Sequence, residues 1–398
     1  MSAVGPTNAP VARPRRAPIP VTVLTGFLGA GKTSLLNRMV RDPALADAAF
    51  VINEFGEIGL DHLLVEAADD GIVELSSGCL CCTIRGDLVA TLESFLRRID
   101  NGRLDGLSRV VIETTGLADP APVLHTIMAH PYLVMRYRLD GVVTVVDAVN
   151  GDRTLDEHAE AVKQVAVADR IVLTKTDLPD GAARAPALKA RLAALNPGAP
   201  ILLAAEGGAL PSSLFEAGLY DPDAKIPDVR RWLNAEAYEG AHEHGHVHGH
   251  DHHHGPAHGQ DPHDRNRHDA RIRAFSLATD RAVAAGGLEM FLDLLRSAHG
   301  EKVLRLKGLV RLAEDPDHPL VVHGVQEVFH PPVRLPAWPD ADRRTRIVMI
   351  TRDLTEDFVR RLFDAFVGTL APDTADPAAM TDSPLALTGF TPPSQRGT

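Results

Sequence analysis

VTVLTGFLGAGKTSLLNRMV, residues 21 to 40, joins an apolar run to a helical pattern through a glycine-rich loop. VTVLT reads as a strand and SLLNRMV as a helix. Between them GFLGAGKT, Gly26 to Thr33, matches G-x-x-x-x-G-K-[ST], and strand–loop–helix is the setting that pattern requires. Gly26, Gly29 and Gly31 let the backbone curl so that its N–H groups face phosphate oxygens. The following helix aims its N-terminus at the same charge. Lys32 is placed to reach the β- and γ-phosphates of a nucleotide, and Thr33 to hold Mg2+. Ala30 and Ser34 complete the expected nucleotide-binding set.

Working outward, AFVIN, RVVIETTG, GVVTVVD, RIVLTKTD and PILLAA are further short, Val/Ile-rich runs alternating with helical patterns. Continuous apolar character is expected of parallel strands buried on both faces. Leu88, Leu92, Leu96 and Ile99 mark one of the intervening helices. The expected fold is therefore α/β: a nucleotide-binding domain with a mostly parallel, doubly wound sheet over residues 21–205. RVVIETTG places Glu113 at a strand end, where it can act on Mg2+ or on attacking water, and Gly116 where its N–H can sense the γ-phosphate. TKTD, Thr174 to Asp177, follows the strand RIVL. Asp177 there can accept two hydrogen bonds from guanine, whereas adenine would leave the carboxylate unpaired. Lys175 can lie over the purine face. Thr174 stands where Asn is usual, and a plain T-x-x-D turn would use the same residues.

The chain is 398 residues long with a net charge of −12, which argues against nucleic-acid binding. No apolar run approaches the roughly 18–20 residues a membrane helix needs. Residues 1–20 lack an apolar signal core and read as a disordered leader. A connector is expected over 206–240. AHEHGHVHGHDHHHGPAHGQDPHDRNRH then holds eleven of the 19 histidines: His242, His244, His246, His248, His250, His252, His253, His254, His258, His263 and His268. With almost no apolar residue, 241–269 reads as a mobile loop of weak imidazole sites suited to Zn2+, Ni2+ or Co2+. A solubilising linker is the simpler alternative. Residues 270–370 give a β-α-β-β-β-α order, a small α+β domain of split-βαβ type, with Thr355 as N-cap of its last helix. Residues 371–398, rich in Pro, Ser and Thr, read as a flexible tail.

The only cysteines, Cys79, Cys81 and Cys82, lie in SSGCLCCTIRGD. They are too close together for unstrained disulfides, and a reducing cytoplasm leaves them free. Burial as small apolar groups, redox chemistry of the vicinal pair, and metal binding all remain open. Thiolates favour soft or borderline ions, and tetrahedral zinc needs further ligands. INEFGEIGLD, residues 52 to 61, offers Glu54 and Glu57 from a loop in the position of a nucleotide sensor. Ligation there would link nucleotide and metal affinities.

TGFLGAGKT, INEFGEIGLD, SSGCLCCTIRGDL, VVIETTGLADP, RYRLDGVVTVVDAVN and ADRIVLTKTD occur in this order and resemble the CobW family of P-loop GTPases. The resemblance covers nearly all of residues 21 to 354. It implies a GTPase that handles metal for a client metalloprotein, using GTP, Mg2+ and Zn2+, with Co2+ or Ni2+ as alternative cargo. It maps the family's metal motif onto Cys79, Cys81 and Cys82, and its acidic loop onto Glu54 and Glu57. Ile52 stands where some relatives carry a further carboxylate. A C-terminal domain of the family's own type is implied for partner contact or regulation. Cobalt or iron insertion, and a metal sensor or buffer with a GTP-gated protein contact, are the competing readings.

Overall fold

The computed structural model describes residues 17–52, 72–74, 82–215 and 271–367. Among the described residues the first domain is a parallel sheet of seven strands: β1 (Ile19–Gly26), β2 (Ala48–Ile52), β3 (Ile72–Glu74), β4 (Arg109–Glu113), β5 (Tyr137–Asp147), β6 (Arg170–Thr174) and β7 (Ile201–Leu203). Its order is β3-β2-β4-β1-β5-β6-β7. The crossovers carry helices α1 (Lys32–Val40), α2 (Cys82–Asp100), α3 (Ala121–Ala129), α4 (Gly151–Glu157), α5 (Ala159–Ala166) and α6 (Pro179–Leu195). This is the doubly wound α/β arrangement expected from the alternation of runs. Strand β3 is an addition to that expectation. Its three residues are too few for a periodic signal.

Both faces of β1 are buried, which accounts for its unbroken apolar run. Val21 and Val23 pack with Leu88, Leu92 and Leu96 of α2 and Leu124 of α3. On the other face Leu24 packs with Leu35, Leu36 and Met39 of α1. Each leucine fully buried this way contributes about 1.5–3 kcal/mol.

The packed chain continues past residue 205, where the sequence suggested a connector. A short helix, α7 (Pro211–Leu214), brings Ala209, Leu214 and Phe215 onto the α1 face of the sheet. The Arg109 guanidinium lies 3.8 Å from the Phe215 ring centroid. The apolar residues in this stretch are too scattered to show a period.

The second domain has strands β8 (Ile272–Thr279), β9 (Val303–Val310), β10 (Leu320–Val325), β11 (Val328–Phe329), β12 (Val333–Arg334) and β13 (Thr345–Arg352). Its helices are α8 (Ala285–His299) and α9 (Glu356–Val367). The order is β11-β10-β9-β13-β8, with β12 also on β10. Strand β13 lies between β8 and β9 and is antiparallel to both. β8-α8-β9 is therefore the expected split β-α-β unit. Thr355 Oγ1 accepts the Phe358 N–H at 3.3 Å, the N-cap expected for α9. HPLVVHGVQEVFH is not one strand: Gln326 and Glu327 turn it into the β10–β11 hairpin, in which Val325 pairs with Val328.

The domains meet around a buried carboxylate. Asp169, just before β6, accepts from Arg305 Nη2 at 2.6 Å and Lys307 Nζ at 2.5 Å, both on β9. Its other oxygen accepts the Val142 N–H at 2.9 Å. Arg305 Nη1 also donates to Val167 O at 2.8 Å. Burial alone would raise the Asp169 pKa; Arg305 and Lys307 outweigh it and hold the group well below the usual carboxylate range. Burial pushes Lys307 down to about 8, against the pull of Asp169. A carboxylate whose folded pKa is depressed contributes stability above its unfolded pKa of about 3.9 and loses it as pH falls towards the folded value. Asp169→Asn should therefore destabilise the chain by about 3–5 kcal/mol near neutral pH, because two buried cations lose their counter-charge. Urea unfolding measures this, and the gap between the two chains should narrow below about pH 4.

Candidate functional site

The carboxyl ends of β1, β4, β5 and β6 converge at one edge of the sheet. Strand order reverses about β1, and such a switch point is where open α/β sheets place ligands. Register fixes the neighbours: Leu24 lies beside Glu113, Gly26 beside Val145, and Asp147 beside Thr174.

The loop from Gly26 to Lys32 is built on backbone that glycine alone accepts easily. Gly26, Gly29 and Gly31 have φ of 140°, 72° and 97°. A Cβ on Gly26 would run into the Val145 carbonyl, so the loop can start its curl only without a side chain there. Gly31 is the N-cap of α1, which opens with Lys32, Thr33 and Ser34. Ala30 is buried beneath the loop. Lys32, only 8% exposed, folds across it and donates to Gly26 O at 2.8 Å and Phe27 O at 3.3 Å. The result is a glycine-built loop with a cation and a helix N-terminus beside it, the components of an anion cradle.

Glu113 ends β4 with 4% exposure. The next residues cross to the cradle. Thr114 Oγ1 donates to Thr25 Oγ1 at 2.8 Å, and the Thr114 N–H donates to Leu24 O at 2.9 Å. Gly116 lies directly on the loop: a Cβ there would sit 2.7 Å from Leu28 N and 2.9 Å from Leu28 Cα. The need for glycine is thus a close approach of two main chains.

Thr174 carries a contact that the Asn-for-Thr comparison did not suggest. Its hydroxyl is 2.7 Å from Ala30 O and 3.2 Å from Val146 O, tying the cradle to β5 and β6. Lys175, expected over a purine, has φ of 59° and anchors its ammonium on Gly29 O at 2.9 Å and Asp147 Oδ2 at 2.7 Å. Asp177 is exposed just beyond. Asp147 also accepts from Val149 N at 2.7 Å and Asn150 Nδ2 at 2.9 Å. Burial would raise its pKa, but Lys175, Asn150 and the Val149 N–H outweigh it and leave the carboxylate below its ordinary value. Asp147 is a site residue that the sequence reading did not assign, although a lone acid ending the buried run GVVTVVD was the available signal.

Three side chains hold the far end of the 114–120 segment. Gln164 Nε2 on α5 donates to Gly116 O at 3.2 Å and Ala118 O at 3.0 Å. Asp119 accepts from Lys163 Nζ at 2.8 Å, from Ala121 N at 3.0 Å and from Gln326 Nε2 at 3.1 Å. Burial would raise the Asp119 pKa, and these partners, Lys163 first, bring it below the usual range. None of the three could be read from local motifs, because each acts across a distance in the chain.

The expected metal ligands Glu54, Glu57, Cys79 and Cys81 lie outside the described residues, as do His242, His244, His246, His248, His250, His252, His253 and His254. Cys82 is the first residue of α2. Among the described residues, no group of three or more His, Cys, Asp or Glu side chains is placed to hold a metal. The described chain stops towards Glu54 at Ile52 and towards Cys79 at Glu74. These two residues are in register with each other, and Ile52 is in register with Glu113.

This framework matches known proteins over both domains. Residues 20–203 match the model of the CobW/HypB/UreG nucleotide-binding domain, and residues 272–367 match the cobalamin synthesis protein CobW C-terminal domain. The chain is 32% identical over 346 residues to the zinc chaperone YjiA of Escherichia coli, covering 87% of this chain and 98% of that one. It belongs to the CobW family. A zinc-regulated GTPase metalloprotein activator of Schizosaccharomyces pombe is 42% identical over 168 residues, 40% of each chain. The crystal structure of a zinc(II)-bound triple mutant of the YjiA GTPase superposes with a TM-score of 0.60 at 29% identity, over 88% of this chain and 99% of that one. As a CobW-family protein the chain is a P-loop GTPase by fold and kinship, and its relatives are zinc chaperones and zinc-regulated activators. Gly116→Ala should leave the domain folded but displace the cradle, lowering GTP hydrolysis about 10–100-fold in a phosphate-release assay.

Proposed function

We propose that the chain is a GTP-hydrolysing metallochaperone of the cytoplasm that takes up zinc at a nucleotide-linked site containing Cys79, Cys81 and Cys82 and passes it to a client metalloprotein. The observation that carries this reading is the convergence of the anion cradle, Glu113 and the Thr174–Asp177 turn on one sheet edge, in a chain similar to YjiA over nearly its whole length.

In this reading the cradle of Gly26, Gly29, Ala30, Gly31, Lys32, Thr33 and Ser34 binds the phosphates. Lys32 supplies positive charge where negative charge develops during transfer. The Gly116 N–H senses the γ-phosphate from a segment already in main-chain contact with the cradle. The hydroxyl of Thr33 and the buried carboxylate of Glu113 are hard oxygen donors that fit Mg2+, which offsets phosphate charge when bound. Thr174 and Lys175 fix the turn, so that Asp177 presents its carboxylate to guanine. Catalysis is mainly positioning and electrostatics, so turnover by the chain alone is expected to be slow.

The register of Ile52 with both Glu74 and Glu113 supports placing the metal loops near the nucleotide. Three thiols in one short loop suit zinc, with Glu54 and Glu57 as completing ligands and Co2+ or Ni2+ as competitors. The eight histidines from His242 to His254 collect metal more weakly and lose it below about pH 6 as imidazole protonates. Free thiols are kept in this form by a reducing compartment.

GTP affinity and hydrolysis in zinc-buffered solution test this directly. Zinc should change one or both in the intact chain and change neither in a folded chain carrying Cys79→Ser, Cys81→Ser and Cys82→Ser. An identical zinc response in both chains would remove the cysteines from the switch. Base choice is tested separately. Asp177→Ala should weaken GTP binding about 10–100-fold, the worth of hydrogen bonds to a charged group, and leave ATP binding unchanged.

A further inference from the structure

The C-terminal domain reaches into the GTPase domain at the β10–β11 hairpin. Val325 is fully buried in the core that also contains Leu124, Ile127 and Met128 of α3. His125 Nε2 on α3 lies 2.9 Å from Val325 O. The next residue, Gln326, donates its side-chain amide to Asp119 Oδ2 at 3.1 Å. Asp119 closes the segment that begins at Glu113 and lies on the cradle at Gly116.

The conformation of Gln326 is informative. It is the first of two central residues in a tight hairpin, and it holds φ of 51°. Glycine is favoured at the first position of such turns, and a side chain there carries strain. The Gln326 N–H donates to Val303 O at 2.8 Å, a bond glycine would make equally well. What glycine cannot supply is the amide that reaches Asp119. Strain retained at a residue whose side chain has one long-range polar partner points to that partner.

The groups facing Asp119 divide the labour. Lys163 Nζ, at 2.8 Å, supplies charge from α5 of the same domain. The Ala121 N–H fixes the start of α3. Gln326 is the contribution of the other domain. Gln164, next to Lys163, holds Gly116 O and Ala118 O. With all of these in place, the main chain at Gly116 has little freedom to move relative to Leu28.

We infer that Gln326 is a positioning residue for GTP hydrolysis: through Asp119 it fixes the 114–120 segment, so the C-terminal domain forms part of the hydrolytic unit. The inference rests on the reading of the site as a GTPase. It predicts that stability and activity part company at this position. Gln326→Gly relieves the turn and removes the side chain that carries the amide. Its Tm should be unchanged or higher, while kcat for GTP falls about tenfold and KM stays within about twofold, as expected when a charge-linked hydrogen bond that matters in the transition state is lost. Gln326→Glu sets a carboxylate against Asp119 and should lower kcat at least as far. Glu327→Gln, the exposed neighbour in the same turn, should leave kcat unchanged. Hydrogen exchange at the amides of residues 114–120 should be faster in Gln326→Gly than in the unsubstituted chain.

Unchanged kcat and exchange in Gln326→Gly would overturn the inference. So would a fall in kcat that tracks a fall in Tm, because a purely structural turn explains both. Absence of GTP turnover in the unsubstituted chain would overturn the GTPase reading and the hydrolytic role with it, whereas faster exchange in Gln326→Gly would then still show that Gln326 fixes the 114–120 segment.

Discussion

Strand β1 is bonded in parallel on both sides, to β4 and to β5, and this double pairing is the constraint on which the site depends. Parallel neighbours bring like ends together, so the residues that follow β1, β4, β5 and β6 must all emerge at one edge. The cradle, Glu113, Asp147 and Thr174 are neighbours first for that reason, and bonds such as Thr174 Oγ1 to Ala30 O then tie them together. Once the ends are fixed, the remaining freedom is that of a few short loops. Glycines at Gly26 and Gly116 then let main chain approach main chain where a Cβ would keep them apart.

Two carboxylates illustrate how the same residue type serves different ends. Asp147 sits at the rim and holds Lys175 in a left-handed turn, so its ion pair shapes a loop that must remain accessible to ligand. Asp169 lies deep between the domains and neutralises two cations from β9. Its desolvation is offset by the charges and by the Val142 N–H, and loss of any partner leaves a buried charge exposed to the others. In the first pair only the Lys175 partner reaches the surface, so that side chain can adjust while Asp147 stays fixed. The second is effectively all-or-none, which suits a junction that must hold the hairpin at Gln326 in one position.

The sequence was most legible where the signal is local. The glycine spacing of the cradle, the buried runs of the central strands and the Thr355 cap are each local, and the split β-α-β unit follows from the order of such local segments from β8 to β9. Strand β3 was not legible, because three residues carry no period. The Gln326–Glu327 turn was missed because neither residue is a usual turn former; the strain is local, but its reason is Asp119, 207 positions away. Thr174 looked like a weaker version of Asn. Its hydroxyl reaches Ala30 O and Val146 O, so the smaller group makes the inter-loop bond that the turn needs. Side-chain partners far apart in the chain were the general blind spot, and Lys163, Gln164 and Gln326 all belong to it.

Ligand hardness explains how one edge of a sheet could serve two divalent ions on the proposed reading. Thr33 and Glu113 offer only oxygen, which suits Mg2+ and binds soft ions poorly. The three thiols offer sulfur, which Mg2+ does not compete for. The two sites could therefore adjoin without exchanging metals, and coupling between them would run through the protein. The described residues supply such a route on the nucleotide side: Gly116 touches the cradle, Asp119 holds the end of the same segment, and Gln326 ties it to the second domain. A change at the γ-phosphate position would be felt at the β10–β11 hairpin through main chain and hydrogen bonds whose geometry has little slack. A client bound against the C-terminal domain would change nucleotide affinity through the same atoms in reverse, since a coupling between two binding equilibria is reciprocal.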